Sequence, residues 1–581
     1  VQPFDYTTLV AVLAELQQQL LPGRLEQVYQ WDRYTLSLGL RTLQGRRWLT
    51  LCWQAQTARI HLGAAPPRQP DTFTFSQQLQ HQLKGLALGS IELVQPWERV
   101  VDLRFARRPD EPPLWHLYVE LMGKHSNVLL VNADGSIIAA GHQVNRQQSS
   151  VRPIQTGEPY VLPPSLQAAS PQLEENFVDW RDRVALIPGA IARNLRQTYR
   201  GLSSRTAERL CEAAGLADQT HTEALNNGDW QALHTQWQRW LTALDQHHFQ
   251  PADWRDGYTV LGWDLPAVTA DINTLVAHYY EDHAQQQRFQ QIRQRLQQRL
   301  RHQIQKLHQK IAQFQVRLQE SDDADTYRLQ ADVLMAHLQQ WQPGLTCMDL
   351  PSFETGTMLS ISLDPEKTAV QNAQALYRQH QKLKRARAAV EPLLASAKEE
   401  LAYLQQVEVS LTLLPEVEAE TNLRALEEIQ TELQQQGLLP APPHRQSAKP
   451  AKTEMAFLRY QTPSGHEVWI GRNNRQNDHL TFRIATDYDL WFHSQEIPGS
   501  HVLLRLSPGQ TATAEELQFA ANLAARYSRG CQSDQVPVVY TSPRQVFKPK
   551  GARPGMVIYR QEQVIWGTPP QAQHYPRLAI D

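Results

Sequence analysis

Phe289, Ile292, Leu296, Leu300, Ile304, Leu307, Ile311, Phe314 and Leu318 recur at steps of three or four amid Gln and Arg. That spacing puts them on one stripe of a long amphipathic helix with coiled-coil periodicity. A helix of about 43 residues, from about 276 to 318, reaches roughly 60 Å at 1.5 Å per residue. The segment from about 364 to 406 (LDPEKTAVQNAQALYRQHQKLKRARAAVEPLLASAKEELAYLQQ) reads as a return arm, so the pair forms an antiparallel helical hairpin. Between the arms, GLTCMDLPSFETGTMLSISL reads as a small β element, an extra module carried by the hairpin. The first arm is locally basic: Arg288, Arg293, Arg295, Arg299, Arg301, Lys306, Lys310 and Arg317 stand against Glu281, Asp282 and Glu320. Such a run is either a solvated coiled-coil face or a probe that meets nucleic acid through its phosphates.

The hairpin accounts for a fraction of 581 residues, and a chain of this length implies about three to five domains. Hydrophobic residues at 41% and charged residues at 20% exclude a disordered or membrane-embedded chain. The formal net charge of −2 excludes global basicity, so any polyanion site is a local patch. Cys52, Cys211, Cys347 and Cys531 lie far apart without CxxC spacing, which argues against a zinc ribbon or a disulfide scaffold and suits a reducing compartment. The opening VQPFDYTTLVAVLAEL has acidic residues at Asp5 and Glu15 and helical periodicity rather than a secretory pattern. No apolar run approaches the ~20 residues that span a bilayer. The expectation is a soluble cytoplasmic protein.

Before the hairpin, Phe4, Leu9, Val12, Leu13 and Leu16 form a helical stripe ended by Pro22-Gly23. RLEQVYQWDRYTLSLGLRT and RRWLTLCWQA alternate as half-buried strands, a helical patch covers about 75–87, and ERVVDLRFAR, WHLYVELM, NVLLVN and SIIAAGHQV form a second strand group. Asp134-Gly135 in VNADGSII marks a hairpin turn. From about 175 to 270 the chain is helical and Trp-rich. VALIPGAIARNLRQTYRGLSSRTAERLCEAAGL, with turns at Pro188-Gly189 and Gly201, reads as a helix-hairpin-helix or as a plain helical connector. GLLPAPPHRQSAKPAKTE is a Pro-, Ala- and Lys-rich linker. After it EVWIG, LTFRI, HVLLRL, VPVVYT, MVIYR and QVIWG alternate as strands, and Thr513 with Glu516 makes a capping box for one helix ending near Gly530. The expected organisation is α+β and multidomain: 1–174, β-rich; 175–272, helical; 273–436, hairpin with middle module; 437–454, linker; 455–581, a C-terminal α/β domain.

The densest polar stretch is GRNNRQNDHLTFRIATDYDLWFHSQEIPGSHVLL, Gly471 to Leu504. Asn473, Asn474, Asn477 and Asp478 suit a structured turn. Beyond the turn itself, Arg472 and Arg475 are candidate phosphate forks and the Asn side chains candidate partners for sugar or base edges. His493, Ser500 and His501 flank the Pro498-Gly499 turn. Three or four ligands are needed for a metal, and no Cys or close His cluster supplies them, so no metal site or cofactor is expected. Ser500, His501 and Asp478 lack a GxSxG elbow, which argues against a hydrolase triad. The more plausible role is to bring backbone and small polar groups close to RNA. Trp469, Trp491 and Phe492 are expected in the core. In ELMGKHSNVLLVN, Gly123 permits close approach while Lys124, His125, Ser126 and Asn127 present donors or a polar turn.

GRNNRQNDHLT, the WFH…IPGSHV run and YTSPRQVFKPKGARPGMVIY resemble the C-terminal domain of the NFACT family, and PFD at 3–5, ELMGKHSNVLLVN and LDPEKTAVQNAQALYRQHQKLKRA match further family segments in order. The resemblance spans essentially the whole chain. It implies a ribosome-associated quality-control factor with no active site of its own. Such a factor binds the large ribosomal subunit, through ribosomal RNA, while that subunit holds an obstructed peptidyl-tRNA. It recruits alanyl-tRNA for an mRNA-independent C-terminal alanine tail that marks the chain for degradation. It also implies first domains resembling Fpg-type DNA glycosylases with a helix-hairpin-helix, a coiled coil touching ribosomal RNA, and an RNA-binding last domain. Asp5, Glu98, Arg99, Lys124, His125, Ser126 and Asn127 fall on the tRNA-recruiting positions. Glu98 stands where the family has Asp, which puts alanine selectivity, more than RNA binding, in question. Two alternatives are a surface fibronectin-binding adhesin, which requires export, and a glycosylase-like enzyme, whose N-terminal Pro amine Pro3 does not supply behind Val1 and Gln2.

Overall fold

The computed structural model describes all residues except 1, 67–69, 150, 165–166, 270, 354–355, 416–418, 441–456 and 579–581. Most of the expected linker, 441–454, therefore lies outside the described residues. The chain divides into two compact units, Val1–Ala284 and Gln285–Asp581.

In the first unit α1 (Tyr6–Leu20) precedes β1 (Gly23–Gln30), β2 (Thr35–Thr42), β3 (Gly45–Cys52), β4 (Arg59–Gly63), α2 (Thr74–Leu83), β5 (Ala87–Leu93), β6 (Val100–Ala106), β7 (Trp115–Glu120), β8 (Asn127–Asn132) and β9 (Ile137–Ala140). The strands form one nine-stranded sheet in the order β4-β3-β2-β1-β5-β6-β7-β8-β9, antiparallel throughout. The expected stripe Phe4, Leu9, Val12, Leu13 and Leu16 is buried, and α1 starts where the Asp5 side chain accepts the Thr8 N–H. Strand β5 lies between the expected helical patch and the second strand group and has no expected counterpart. Its alternation breaks at a bulge between Leu88 and Ser90, and a Cβ on Gly89 would stand 2.7 Å from the Pro109 carbonyl oxygen.

Four helices follow, α3 (Phe177–Val184), α4 (Ile191–Thr198), α5 (Ser204–Ala213) and α6 (Asn227–Gln246), then the short pair β10 (Ala252–Trp254) and β11 (Gly257–Thr259). Trp180, Trp237 and Trp240 join the same apolar core as α1 and the sheet, so helices and sheet share one interior.

The long arms are α7 (Ile272–Asp322, 51 residues) and α9 (Ala369–Leu413, 45 residues). Between them lie α8 (Ala324–Ala336) and the hairpin β12 (Cys347–Pro351) and β13 (Met358–Ser362), matching the expected β element. Phe289, Leu296, Leu300, Leu307, Ile311 and Phe314 of α7 form one core with residues of α9 and of α10 (Ala419–Gln435).

The last part holds β14 (Leu458–Gln461), β15 (Glu467–Ile470), α11 (Asn474–His479), β16 (Leu490–Ser494), β17 (Val502–Leu504), α12 (Ala514–Arg526), β18 (Val536–Thr541), β19 (Val546–Phe547), β20 (Ile558–Tyr559) and β21 (Gln563–Gly567). Six strands make an antiparallel sheet in the order β14-β15-β17-β16-β18-β21, and β19 pairs β20 apart from it. Period-two alternation sends Val468, Ile470, Phe492, Val502 and Val538 towards α12, and Trp491, Leu503 and Val539 to the other face. The Thr513–Glu516 capping box is formed. LTFRI, expected as a strand, is instead a helical turn continuing α11 over Leu480–Ile484. Asn473 caps α11 through its side chain, and the helix it starts carries through the β-branched residues.

Candidate nucleic-acid interface

In the first unit the expected tRNA residues gather at one end of the nine-stranded sheet. Val100 opens β6 opposite Glu120, the last residue of β7, and Glu120 faces Asn127, the first residue of β8. Arg99 and the Gly123–Asn127 segment are therefore neighbours, and the Leu121 N–H donates to the Arg99 carbonyl at 2.9 Å.

Asp5 is buried and saturated. Its Oδ1 accepts the Thr8 N–H at 2.8 Å, and its Oδ2 accepts the hydroxyls of Ser203 at 2.5 Å and Thr206 at 2.7 Å. One carboxylate thus ties the start of α1 to the start of α5. Arg99 donates from Nη1 to the Phe4 carbonyl at 3.1 Å, and burial lowers its pKa against the opposing charges of Asp5 and Glu98. Glu98 faces Arg200 at 3.7 Å. The intervening Trp97, at φ +64, packs on Tyr6 and Trp240 at 4.8 and 5.7 Å. It also fills the turn between α4 and α5, where a Cβ on Gly201 would lie 2.7 Å from its ring.

Ser126 and Asn127 are buried and brace the turn: Ser126 Oγ accepts the Met122 N–H at 2.9 Å, and the Asn127 amide bonds both the N–H and the carbonyl of His142. Lys124 and His125 are exposed. The turn borders a cavity of about 520 Å³ whose walls include Met122, His142, Arg152 and Pro164. Sequence reasoning missed the network under it. Arg152 forks the fully buried Glu120, and the Tyr160 hydroxyl donates to Glu120 at 2.9 Å. Burial, then the Glu120 charge, pushes the Tyr160 phenol far above its ordinary value. The available signal was a carboxylate, Glu120, directly after the apolar Val119 at the end of β7.

In the second unit the polar motif is not an open turn. Arg472, Asn473, Asn474, Asn477, Ser500 and His501 are all buried. The donors of Arg472, Asn473 and Asn474, with Gln476 beside them, meet the base of the helical hairpin. Asn473 Nδ2 donates to Glu428 at 2.7 Å, Gln476 Nε2 to the same carboxylate at 3.0 Å, Asn474 Nδ2 to Glu432 at 3.1 Å, and Arg472 Nη1 to Asn422 Oδ1 at 3.3 Å. Glu432 also accepts the Tyr403 hydroxyl at 2.6 Å, and burial raises its pKa. The Pro498-Gly499 turn docks likewise, its Gly499 N–H donating to Gln406 Oε1 at 3.0 Å. The polar turns expected to grip RNA thus form much of a polar seam in which α9 and α10 supply hydrogen-bond acceptors. Arg475 and Asp478 stay half-buried. Asp478 accepts the Gly555 N–H at 3.1 Å and pairs with Lys548.

His501 Nδ1 bonds the Thr481 hydroxyl at 2.7 Å, and its backbone N–H donates to Asn477 Oδ1 at 3.1 Å. Burial pulls its pKa well below the ordinary imidazole value. Half-buried His493 lies edge-on to it at 5.5 Å, with Nε2 3.3 Å from the Gly499 carbonyl oxygen. With His501 bonded to Thr481, and Asp478 to Gly555 and Lys548, these two residues do not form a relay with Ser500. Trp491 and Phe492 are fully buried, in line with expectation, whereas Trp469, also expected in the core, is half-buried at its edge. Among the described residues no group of three or more His, Cys, Asp or Glu is placed to hold a metal ion, and no helix is long and apolar enough to cross a membrane.

The sequence profile of the NFACT N-terminal and middle domains matches residues 5–453, and that of the NFACT protein RNA binding domain matches 456–561. The chain is 28% identical over 586 residues to "Rqc2 homolog RqcH" of Bacillus subtilis, covering 97% of this chain and 98% of that protein. It is also 28% identical to the protein of the same name in Streptococcus suis, at the same coverage. Among solved structures, the C-terminal part of the fibronectin/fibrinogen-binding protein from Streptococcus suis aligns at 26% identity and a TM-score of 0.37, over 48% of this chain and 95% of that one.

Proposed function

Because the chain belongs to the NFACT family, we propose that it is a ribosome-associated quality-control factor of the cytoplasm. It binds the large ribosomal subunit carrying obstructed peptidyl-tRNA and recruits aminoacyl-tRNA, alanyl-tRNA by family resemblance, for mRNA-independent C-terminal tailing. Peptide bonds are made by ribosomal RNA, and the protein contributes positioning. In this reading the first unit carries the glycosylase-like and helix-hairpin-helix domains, used for tRNA rather than for base excision.

The observation that carries the reading is the sheet end where Glu98, Arg99 and the Lys124–Asn127 turn converge beside the 520 Å³ cavity. Buried Asp5, Ser126 and Asn127 hold the frame, leaving Lys124 and His125 exposed to meet RNA. Sequencing of the tRNAs that co-purify with the chain tests this. Arg99→Ala, and a Lys124→Ala, His125→Ala pair on exposed side chains, are expected to lose tRNA while still sedimenting with large subunits. Unchanged tRNA recovery in the exposed-pair variant removes this sheet end from the mechanism.

A further inference from the structure

The seam buries Arg472, Asn473, Asn474 and Asn477 against the hairpin base, which directs attention to other faces of the C-terminal domain. The ribbon of β19 and β20 is the strongest candidate. It pairs Val546 with Tyr559 and Phe547 with Ile558. Val546 and Tyr559 point into the core that holds Trp491 and Leu503. Phe547 and Ile558 point outward and stay 41% and 50% exposed. Large apolar side chains side by side on the solvent face of a two-stranded ribbon are unfavourable unless something covers them.

What surrounds them is cationic. Residues 542–560 carry Arg544, Lys548, Lys550, Arg553 and Arg560 and no carboxylate. Some of this charge is already spent: Arg544 pairs with Asp487, Lys548 with Asp478, and Arg553 lies over the Tyr403 ring of α9 at 5.0 Å. Lys550 and Arg560 remain exposed, and the Arg560 guanidinium sits 5.6 Å from the centre of the Phe547 ring. An exposed aromatic ring with a guanidinium against it and lysines alongside supplies both elements of single-strand recognition, a face for a base and charge for the backbone. A duplex keeps its bases stacked and offers such a ring nothing.

We propose that the β19–β20 ribbon is a single-stranded RNA docking surface, with Phe547 stacking a base and Lys550 and Arg560 holding the adjoining phosphates. This deepens the RNA-binding reading above and rests on it. The test is equilibrium binding of a short labelled oligouridylate to the full chain at several salt concentrations. Phe547→Ala is expected to weaken binding roughly 5- to 150-fold, the span of one base-stacking contact, and Phe547→Trp to retain it. Lys550→Ala should lower the slope of log affinity against log salt by about 0.7. Wild-type chain that binds no oligouridylate overturns the ribbon, while the RNA-binding reading stands or falls separately on whether tRNA co-purifies with the chain. Wild-type binding that survives in Phe547→Ala, Lys550→Ala and Arg560→Ala overturns the ribbon alone. If those variants keep RNA affinity but lose co-sedimentation with large subunits, the patch is a protein-docking face and the proposal fails.

Discussion

Asn473 does two things at once: its Oδ1 caps α11 and its Nδ2 reaches Glu428 on α10. Asn473→Ala removes both and is expected to cost about 1–3 kcal/mol in urea unfolding. Asn473→Asp keeps a capping oxygen but sets a second carboxylate against Glu428, so it should also destabilise. An Asp variant as stable as wild type would show that the cap alone matters. His501 gives a pH signature. Its folded-state pKa lies well below the ordinary 6.5 or so, so the unfolded chain takes up a proton that the folded chain refuses. The stability it contributes is complete above the unfolded value of about 6.5 and is lost as pH falls from there towards the folded one, by up to about 1.4 kcal/mol per pH unit. His501→Gln should flatten the decline in stability as pH falls below about 6.5; an unchanged slope there assigns the acid sensitivity to other groups. At this scale the sequence showed which residues were unusual but not whom they face. Glu428 and Glu432 stand more than forty positions upstream, and no local pattern pairs them with Asn473 and Asn474.

Between elements, the contact of Trp97 with Gly201 locks the β5–β6 turn to the α4–α5 turn. Gly201→Ala suffers twice, from φ +79 and from a Cβ 2.7 Å from the Trp97 ring. Gly215→Ala, at φ +75 with nothing within 4 Å, suffers only the backbone penalty of about 1–2 kcal/mol. Thermal unfolding should therefore place Gly201→Ala clearly below Gly215→Ala, and equal midpoints would mean that the turn yields freely. The long arms were legible because a stripe of nine apolar residues at helical steps has no other use. Strand β5 was not, since Gly89 interrupts its alternation to admit the Pro109 carbonyl. LTFRI misled because its alternation suits a strand, while the helix that claims it begins at a cap seven residues earlier.

For the whole molecule, the order of β-rich, helical, hairpin and C-terminal segments could be read along the chain, since each has its own period and composition. What periodicity does not report is which of them close on one another. The seam between the hairpin base and the C-terminal domain is made largely of amides and carboxylates, with Met556 among the few apolar residues packed against the hairpin core. A joint of that kind has a property a greasy one lacks. Drawn apart, its two faces can be wetted by water group for group, so neither half is left sticky. The C-terminal domain is in that sense portable: evolution could separate it from its hairpin, or a cell could loosen it, without creating a surface that aggregates.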